Sequence, residues 1–190
     1  MNIVLASGSP RRKELMEMLG VENLKILPAK GEEKADPGQG PAHYVMDLAR
    51  AKAQEVADLT ERGDVVIGAD TIVWHAGRIL GKPHSRSEAI AMLQELSAQT
   101  HTVYTGVCVI RGDSCLCEAD RSLVHFRPIS DGEIERYVDT GEPMDKAGAY
   151  AAQGKGAIFV RGIEGDFFNV MGLPLHLLDA MLKRQGVEIL

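Results

Sequence analysis

Hydrophobic residues follow two kinds of pattern along the chain: short apolar runs, and longer stretches in which they recur every three or four positions. The short runs are rich in β-branched residues and predict strands, whereas the spaced stretches predict helices. The predicted strands are 3–6, 24–28, 65–74 with a return at 79–80, 102–111, 115–127 and 157–161. The predicted helices are 10–19, 41–59, 85–96, 130–138 and 175–184, with irregular segments at 30–41, 141–156 and 162–174.

This order of elements indicates the fold class. Strands and helices are interspersed, and the two longest strands are joined around Gly112-Asp113, a pair typical of a hairpin turn. A mixed order with one long hairpin predicts an α/β domain with a mixed sheet. The length of 190 residues fits a single domain over 1–190, and the chain has no internal repeat or low-complexity segment.

One carboxylate stands out from the apolar pattern. Asp70 follows the apolar run 65–67 and precedes the apolar run 72–74, so it is flanked by predicted core on both sides. A carboxylate in such a position has to be paired, bound to a metal or shifted in pKa, because an isolated buried charge is costly. The predicted return of the chain at 79–80 delivers Lys82 back towards Asp70. Two interpretations stay open, a structural ion pair and a functional site.

Several cations occupy positions that local rules disfavour. Arg11, Arg12 and Lys13 fill the first turn of the helix that Ser9 and Pro10 begin, where the helix dipole prefers acids. A helix start preceded by a glycine-containing turn favours anions, so these residues predict a phosphate site. The alternative is a solvated run of charge.

The helix predicted over 41–59 contains a further cation. Its inward face consists of Val45, Leu48, Lys52, Val56 and Leu59. Lys52 therefore interrupts an apolar stripe. It either extends along the surface to reach water or points its charge into a site.

Charge and composition limit the partners. The chain has 21 Lys and Arg against 27 Asp and Glu, a net charge of −6, which disfavours stable nucleic-acid binding. No apolar run is long enough to span a membrane or to serve as a signal. Three closely spaced cysteines predict no disulfide framework and do not match the spacing of zinc motifs. We therefore expect a cytoplasmic protein.

The candidate residues are best suited to chemistry on phosphate groups. The P-loop, His-Glu-x-x-His and Gly-x-Ser-x-Gly signatures are absent from the sequence. What remains is a set of cations and carboxylates at element ends and on inward faces, which is what hydrolysis of a phosphoanhydride requires. Oxygen ligands indicate Mg²⁺ or Mn²⁺ as the cofactor rather than zinc.

Five motifs carry a resemblance to a known family. In chain order they are Ser7-Gly8-Ser9-Pro10-Arg11-Arg12, Gly68-Ala69-Asp70-Thr71, Leu80-Gly81-Lys82-Pro83, Asp145-Lys146-Ala147-Gly148-Ala149-Tyr150 and Gln153-Gly154. This series resembles that of the Maf family of nucleoside triphosphate pyrophosphatases, once named for septum formation. The resemblance implies an elongated mixed sheet flanked by helices, as in inosine triphosphatases, with two lobes and a cleft between them. It also implies a homodimer that hydrolyses nucleoside triphosphates to the monophosphate and pyrophosphate.

The resemblance also implies residue roles. Asp70 would accept the proton of the attacking water, and Glu33 with Asp70 would bind the metal, although Glu32 is an alternative to Glu33. The residues that would hold the triphosphate are Ser7, Arg11, Arg12, Lys52 and Lys82. This reading requires Asp70 to lie within ~10 Å of Arg12, Lys52 or Lys82, the span over which charges interact strongly.

Substrate preference is implied by a subgroup. The combination of Arg12, Thr71 and Gln153 resembles that of the family members that act on dTTP and UTP, which have a house-cleaning role in the nucleotide pool. The amide of Gln153 offers one donor and one acceptor to the N3–H and O4 edge of uracil or thymine, but a flipped amide would suit cytosine equally. The alternatives are a pyrophosphatase for methylated GTP or CTP and a nucleotide-binding regulator of septation that does not hydrolyse its ligand.

Overall fold

A computed structural model describes residues 1–31 and 35–189. The strands are β1 (Ile3–Leu5), β2 (Leu24–Ile26), β3 (Val65–His75), β4 (Arg78–Leu80), β5 (Thr100–Arg111), β6 (Ser114–Phe126) and β7 (Val160–Glu164). The α-helices are α1 (Pro10–Met18), α2 (Pro41–Ala57), α3 (Arg86–Leu96), α4 (Asp131–Val138), α5 (Phe167–Met171) and α6 (Leu175–Arg184). Short 3₁₀ helices cover Pro37–Gln39, Glu142–Asp145, Ala147–Ala149 and Lys155–Phe159.

The strands form one mixed sheet. Their order is β2-β1-β3-β5-β6-β7, and β4 pairs with the far end of β3. β1 is parallel to both β2 and β3, whereas β3 with β4 and β6 with β7 are antiparallel. The predicted α/β class with a mixed sheet is therefore confirmed.

The chain divides into two compact units, and β3, β5 and β6 contribute residues to both. The first unit consists of Met1–Asp70, Thr105–Asp120 and Gly172–Leu190, and the second of Thr71–Tyr104 and Arg121–Met171. Two units agree with the two lobes that the resemblance implies. The single domain over 1–190 and the cleft between the lobes stay predictions.

In the first unit, α2 lies directly on the sheet. Its inward stripe is buried at Val45, Leu48 and Val56, as predicted. Gly68 on β3 and Gly106 on β5 make this close approach possible, because a Cβ at either position would overlap the backbone of α2. Because glycine has no side chain, these two residues allow the helix to lie close to the strand that carries Asp70.

In the second unit, α3 and α4 pack on a core rich in aromatic rings. Phe126, Tyr137, Tyr150 and Phe159 are buried there. Ser130 N donates to Glu133 Oε2 at 3.0 Å at the start of α4. Ser130 and Glu133 thus form a capping box at the start of this predicted helix.

Three local predictions are wrong. α2 ends at Ala57, which leaves Leu59 71% exposed instead of on the inward face. The strand predicted over 157–161 is a 3₁₀ helix up to Phe159, and β7 occupies 160–164 instead. The segment 162–174, predicted as a loop, contains the end of β7 and all of α5. Element ends are decided by tertiary contacts that a local pattern does not include.

The cysteines also differ from expectation. Cys108 on β5 and Cys117 on β6 are joined as a disulfide, with their Cα atoms 4.2 Å apart, while Cys115 is a free, exposed thiol. The sequence predicted no disulfide framework, and this single bridge departs from that expectation. Among the described residues, none of the helices combines the length and the apolar character needed to cross a membrane.

Candidate active site

Asp70 and Lys52 form an ion pair in the first unit. Lys52 Nζ lies 2.6 Å from Asp70 Oδ1, and the two side chains are only 17% and 12% exposed. Lys52 thus directs its charge at the Asp70 carboxylate rather than extending along the surface to water. The predicted proximity of Asp70 to at least one cation is confirmed.

The local fold explains why these two side chains meet. β3 runs parallel to β1, with Leu5 opposite Ile67, and the Ala6 N–H donates to the Ile67 carbonyl at 2.8 Å. Asp70 follows three residues later on the same strand. Gly68 lets α2 lie against β3, so that Lys52, one turn along α2 from Leu48, reaches the carboxylate.

A second polar cluster follows β1. Arg12 is buried, at 9% exposure; its Nε donates to the Gly172 carbonyl at 2.7 Å and its Nη1 donates to Ser7 Oγ at 3.1 Å. The Ser9 N–H donates to the same Ser7 oxygen at 3.2 Å. Both acceptor positions of the Ser7 hydroxyl are therefore used, which directs its own proton towards a further acceptor.

The helix that these residues precede starts as predicted. Ser9 is the N-cap and Pro10 the first helical residue of α1, although the Ser9 side chain makes no capping hydrogen bond. Lys13 pairs with Glu17 at 3.5 Å on the surface, as expected of a solvated charge. Arg11 is half-buried. The three cations of the first turn thus have three different surroundings.

Three of the remaining predicted residues belong to the second unit. Thr71 is half-buried on β3, and Lys82 and Gln153 are exposed. The segment that ends in Lys82 is held by a hydrogen bond from Gly148 N to the Gly81 carbonyl, at 3.0 Å. A Cβ on Gly148 would come within 2.8 Å of the Val73 side chain. The glycine of the Asp145–Tyr150 motif therefore lets its backbone lie close to β3 and to the segment that carries Lys82.

A carboxylate positions the segment that carries Gln153. Glu142 accepts from the Lys155 N–H with both oxygens, at 3.1 and 3.0 Å. Gly154 adopts φ +150 directly beside this contact. Glu142 therefore restrains the backbone on the C-terminal side of Gln153, a role that sequence analysis missed.

The predicted metal ligands are only partly described. Glu33 and its alternative Glu32 lie outside the described residues. Asp70 lies within them, and its carboxylate is the hard oxygen donor that Mg²⁺ and Mn²⁺ prefer. A carboxylate has about four lone-pair directions, so Asp70 can accept from Lys52 and still ligate a cation.

Two further groups were missed by sequence analysis. The Gly172 carbonyl orients Arg12, and no side chain signals such a role. Lys146 in the second unit has a side chain that is only 14% exposed and pairs with Asp145. The adjacent acid and base at Asp145 and Lys146, inside the motif 145–150, are the sequence signal that could have identified Lys146.

The second unit contains another buried polar pair. His101 Nε2 and the Tyr150 hydroxyl are 2.8 Å apart, and the His101 ring contacts Phe126 edge to face with centroids 4.9 Å apart. Burial lowers the pKa of His101 to about 3, with smaller contributions from His75 and His125. Burial also raises the pKa of the Tyr150 hydroxyl. His101 is therefore neutral at physiological pH.

Solved structures of low sequence identity share the fold. A HAM1 protein from Coxiella burnetii has a TM-score of 0.54 at 18% identity, with 97% of this chain and 99% of that chain covered. The Ham1 protein of Staphylococcus aureus also has a TM-score of 0.54, at 13% identity, with 97% of this chain and 100% of that chain covered. The inosine triphosphatase-like architecture implied by the resemblance is thus confirmed as a fold.

Sequence relatives are much more similar. A protein of Caldicellulosiruptor saccharolyticus named dTTP/UTP pyrophosphatase is 46% identical over 99% of this chain and 96% of its own length. A protein of the same name from Bacillus anthracis is 46% identical over 98% of this chain and 97% of its own length. The family model described as Maf-like protein matches residues 2–185. This chain therefore belongs to the Maf family.

Proposed function

We propose that this protein hydrolyses dTTP and UTP to the nucleoside monophosphate and pyrophosphate, cleaving between the α and β phosphates. The observation that carries the proposal is the Lys52–Asp70 pair at the end of a buried strand segment. The names of the 46% identical relatives support the substrate class.

Asp70 is the proposed proton acceptor. Its carboxylate is fixed by Lys52 at 2.6 Å yet keeps 12% of its side chain exposed, so that water can reach it. A positioned carboxylate that takes a proton from water as the water attacks phosphorus is general-base catalysis. Lys52 orients the carboxylate, and its positive charge also attracts the phosphate oxygens of the substrate.

Ser7, Arg11, Arg12, Lys52 and Lys82 are proposed to hold the triphosphate. Arg12 is fixed before substrate arrives, because Gly172 and Ser7 accept from its guanidinium. A prepositioned guanidinium stabilises developing phosphate charge without reorganising during the reaction. The backbone N–H groups at the start of α1 add to this anion site.

A divalent metal, Mg²⁺ or Mn²⁺, is the proposed cofactor. Asp70 and Glu33 would hold it, with Glu32 as the alternative to Glu33. When bound, the metal would neutralise charge on the phosphates and lower the pKa of a bound water. The arrangement of Asp70 beside Lys52 fits such a site, because pairing with a single lysine leaves the carboxylate able to bind a cation.

Base recognition is assigned to Arg12, Thr71 and Gln153. The amide of Gln153 would pair with the N3–H and O4 edge that uracil and thymine share. Glu142 restrains the adjoining backbone at Lys155 and supports this role. We further propose that the enzyme is cytoplasmic and homodimeric and acts as a house-cleaning enzyme of the nucleotide pool, as the family resemblance implies.

A substrate panel tests the proposal. The purified protein is incubated with Mg²⁺ or Mn²⁺ and each of dTTP, UTP, CTP and methylated GTP, and pyrophosphate and orthophosphate are measured separately. We expect pyrophosphate from dTTP and UTP. Preferred turnover of CTP or methylated GTP would favour the other pyrophosphatases, and binding without turnover would favour the regulator. Release of orthophosphate alone would contradict the proposal.

Substitution of the proposed base tests the mechanism. Asp70→Asn keeps the size of the side chain but removes the proton acceptor, so we expect turnover to fall at least about 10²-fold while nucleotide binding persists. Steady-state rates and equilibrium binding to dTTP are the measurements. Turnover retained in Asp70→Asn would remove Asp70 from this role.

A further inference from the structure

The three cysteines of the chain converge on one end of the β5–β6 hairpin, in the first unit. Cys115 Sγ lies 3.5 Å from Cys108 Sγ and 3.8 Å from Cys117 Sγ, and Cys108 and Cys117 are bonded to each other. Within residues 1–31 and 35–189, this is the one set of three or more His, Cys, Asp or Glu side chains whose ligand atoms all lie within 4.8 Å of one another.

The hairpin register explains the convergence. Arg111 ends β5 and Ser114 begins β6, so counting three residues outward from each places Cys108 opposite Cys117. Cys115 is two residues from Cys117 on the same strand and therefore lies on the same face. Zinc motifs defined by short loop spacings do not describe this arrangement, which is why the spacing in the sequence gave no metal signal.

The sulfur separations suit a thiolate-bound metal. A tetrahedral Zn²⁺ with Zn–S bonds of about 2.3 Å places neighbouring sulfurs about 3.8 Å apart. The two contacts made by Cys115 are 3.5 and 3.8 Å. Reduction of the Cys108–Cys117 bond would give three thiols already grouped at this distance scale.

Charge and surroundings at the cluster also favour thiolates. Arg50 on α2 donates its Nε–H to Cys117 Sγ at 3.4 Å. A neighbouring guanidinium stabilises a thiolate over a thiol. Three thiolates and one Zn²⁺ carry a net charge of −1, which Arg50 would balance. Cys108 is fully buried in the apolar cluster of this unit and holds its side of the site in place.

Cys115 provides access from solvent. It is exposed and lines a polar cavity of about 380 Å³ together with residues of α2 and of the hairpin turn. A cavity of this size has room for water as the fourth ligand that a tetrahedral three-sulfur site requires.

We propose that the reduced protein binds one thiophilic metal ion, Zn²⁺ or Cu⁺, through Cys108, Cys115 and Cys117. A dithiol reductant would transfer two electrons and two protons to the Cys108–Cys117 disulfide, leaving two thiols and an oxidised reductant. Metal binding then releases the thiol protons. The site is distinct from Asp70 in its ligand chemistry, since thiolates select soft ions and carboxylates select hard ones.

Zn²⁺ alone is the first probe. The protein is reduced with a dithiol without oxygen, freed of reductant and titrated with Zn²⁺ against a chromophoric chelator, in an Asp70→Asn background to weaken binding by carboxylates. We expect one Zn²⁺ per chain. Cys115→Ser should weaken binding at least about 100-fold, and Arg50→Met, which removes only the neighbouring charge, about tenfold.

Titration with Cd²⁺ shows whether the ligands are sulfurs. Thiolate-to-cadmium charge transfer should appear in the reduced protein and be absent from the oxidised protein and from Cys115→Ser. Because Cys115 is exposed, its serine variant keeps the packed core, and an unchanged unfolding midpoint in the metal-free state checks this. Zinc binding by Cys115→Ser equal to that of its parent, or a disulfide that the dithiol does not open, would overturn the proposal.

Discussion

The two units each contain a polar side-chain pair at hydrogen-bonding distance, and the two pairs differ in charge and in exposure to water. Lys52 and Asp70 meet at 2.6 Å in the first unit, and His101 and Tyr150 meet at 2.8 Å in the second. The first keeps opposite formal charges, whereas the second is held neutral because burial lowers the pKa of His101 to about 3.

Access to water is the difference between the pairs. The Lys52 and Asp70 side chains are 17% and 12% exposed, whereas His101 and Tyr150 are 2% and 5% exposed as residues. Partial exposure lowers the desolvation cost of two charges and lets a substrate or ion approach them. Full burial removes that access and makes neutrality the stable state. The charged pair is therefore suited to a catalytic role, and the neutral pair to stabilising the folded structure.

No variant is expected to have a larger effect than Gly68→Ala, because it disturbs the geometry on which the charged pair depends. The added Cβ would overlap the backbone of α2 at Ala49, so α2 has to move away from β3. We expect a loss of about 3 kcal/mol in unfolding free energy. Displacing Lys52 by even 1 Å should also lower turnover by about 10²-fold. Denaturant unfolding and pyrophosphate release measure the two effects.

Gly63→Ala is the matched control for this change. It lies in the same unit, and a Cβ there would meet no atom of the described residues within 4 Å. Its stability and turnover should stay close to those of the parent. Equal losses in Gly63→Ala and Gly68→Ala would show that helix-to-strand distance is not what positions the pair.

Lys52→Met tests the charged pair itself. Removing the lysine leaves Asp70 without its buried partner, so we expect a loss on the order of 3 kcal/mol in unfolding free energy and about 10²-fold in turnover. The double variant with Asp70→Asn should recover much of the stability but none of the turnover. Lys13→Met, which removes only an exposed pair with Glu17, should change neither. A single variant that retains turnover would make Lys52 purely structural.

Much of the fold could be predicted because its signals are local. Pro10, Pro41 and the capping box at Ser130 mark helix starts that a sequence pattern can identify. The interrupted stripe at Lys52 likewise marked a lysine with an unusual position. These features depend on residues within about one helical turn along the chain, and a sequence pattern can detect such neighbours.

What escaped prediction depends on distant contacts or on backbone atoms. The Gly172 carbonyl that orients Arg12 is 160 residues away in the chain and has no side chain to signal it. The disulfide between Cys108 and Cys117 was missed because an odd number of closely spaced cysteines indicated no disulfide framework. Glu142 was missed because its partner is a backbone N–H. Such roles become visible only when the three-dimensional neighbours are known.

Because His101 is buried in its neutral form, we expect the stability of the folded protein to depend on pH. The unfolded chain protonates His101 near its ordinary pKa of about 6.5, whereas the folded protein resists protonation down to about 3. The unfolded state thus binds more protons in this interval, so stability is complete above pH 6.5 and falls as the pH decreases, by at most roughly 1.4 kcal/mol per pH unit.

Unfolding curves between pH 7.5 and 4.5 measure this slope before most carboxylates titrate. His101→Gln should be less stable at pH 7.5 yet show a smaller slope over the same range. His176→Gln, which changes an exposed histidine, should keep the slope of the parent. An equal slope in His101→Gln and the parent would contradict the assignment of His101 as the neutral buried group.

The smallest expected effect comes from Tyr150→Phe, which removes a single hydroxyl from the neutral pair. The ring contacts with Phe126 and His101 persist, with centroids at 4.8 and 5.3 Å, so the loss is that of one hydrogen bond to a buried imidazole nitrogen. We expect the unfolding free energy to decrease by about 1–2 kcal/mol with unchanged turnover. Combining Tyr150→Phe with His101→Gln should cost less than the sum of the two single changes, because the pair shares one bond. Additive losses, or a fall in turnover from Tyr150→Phe alone, would mean that the neutral pair contributes to the active site as the charged pair does.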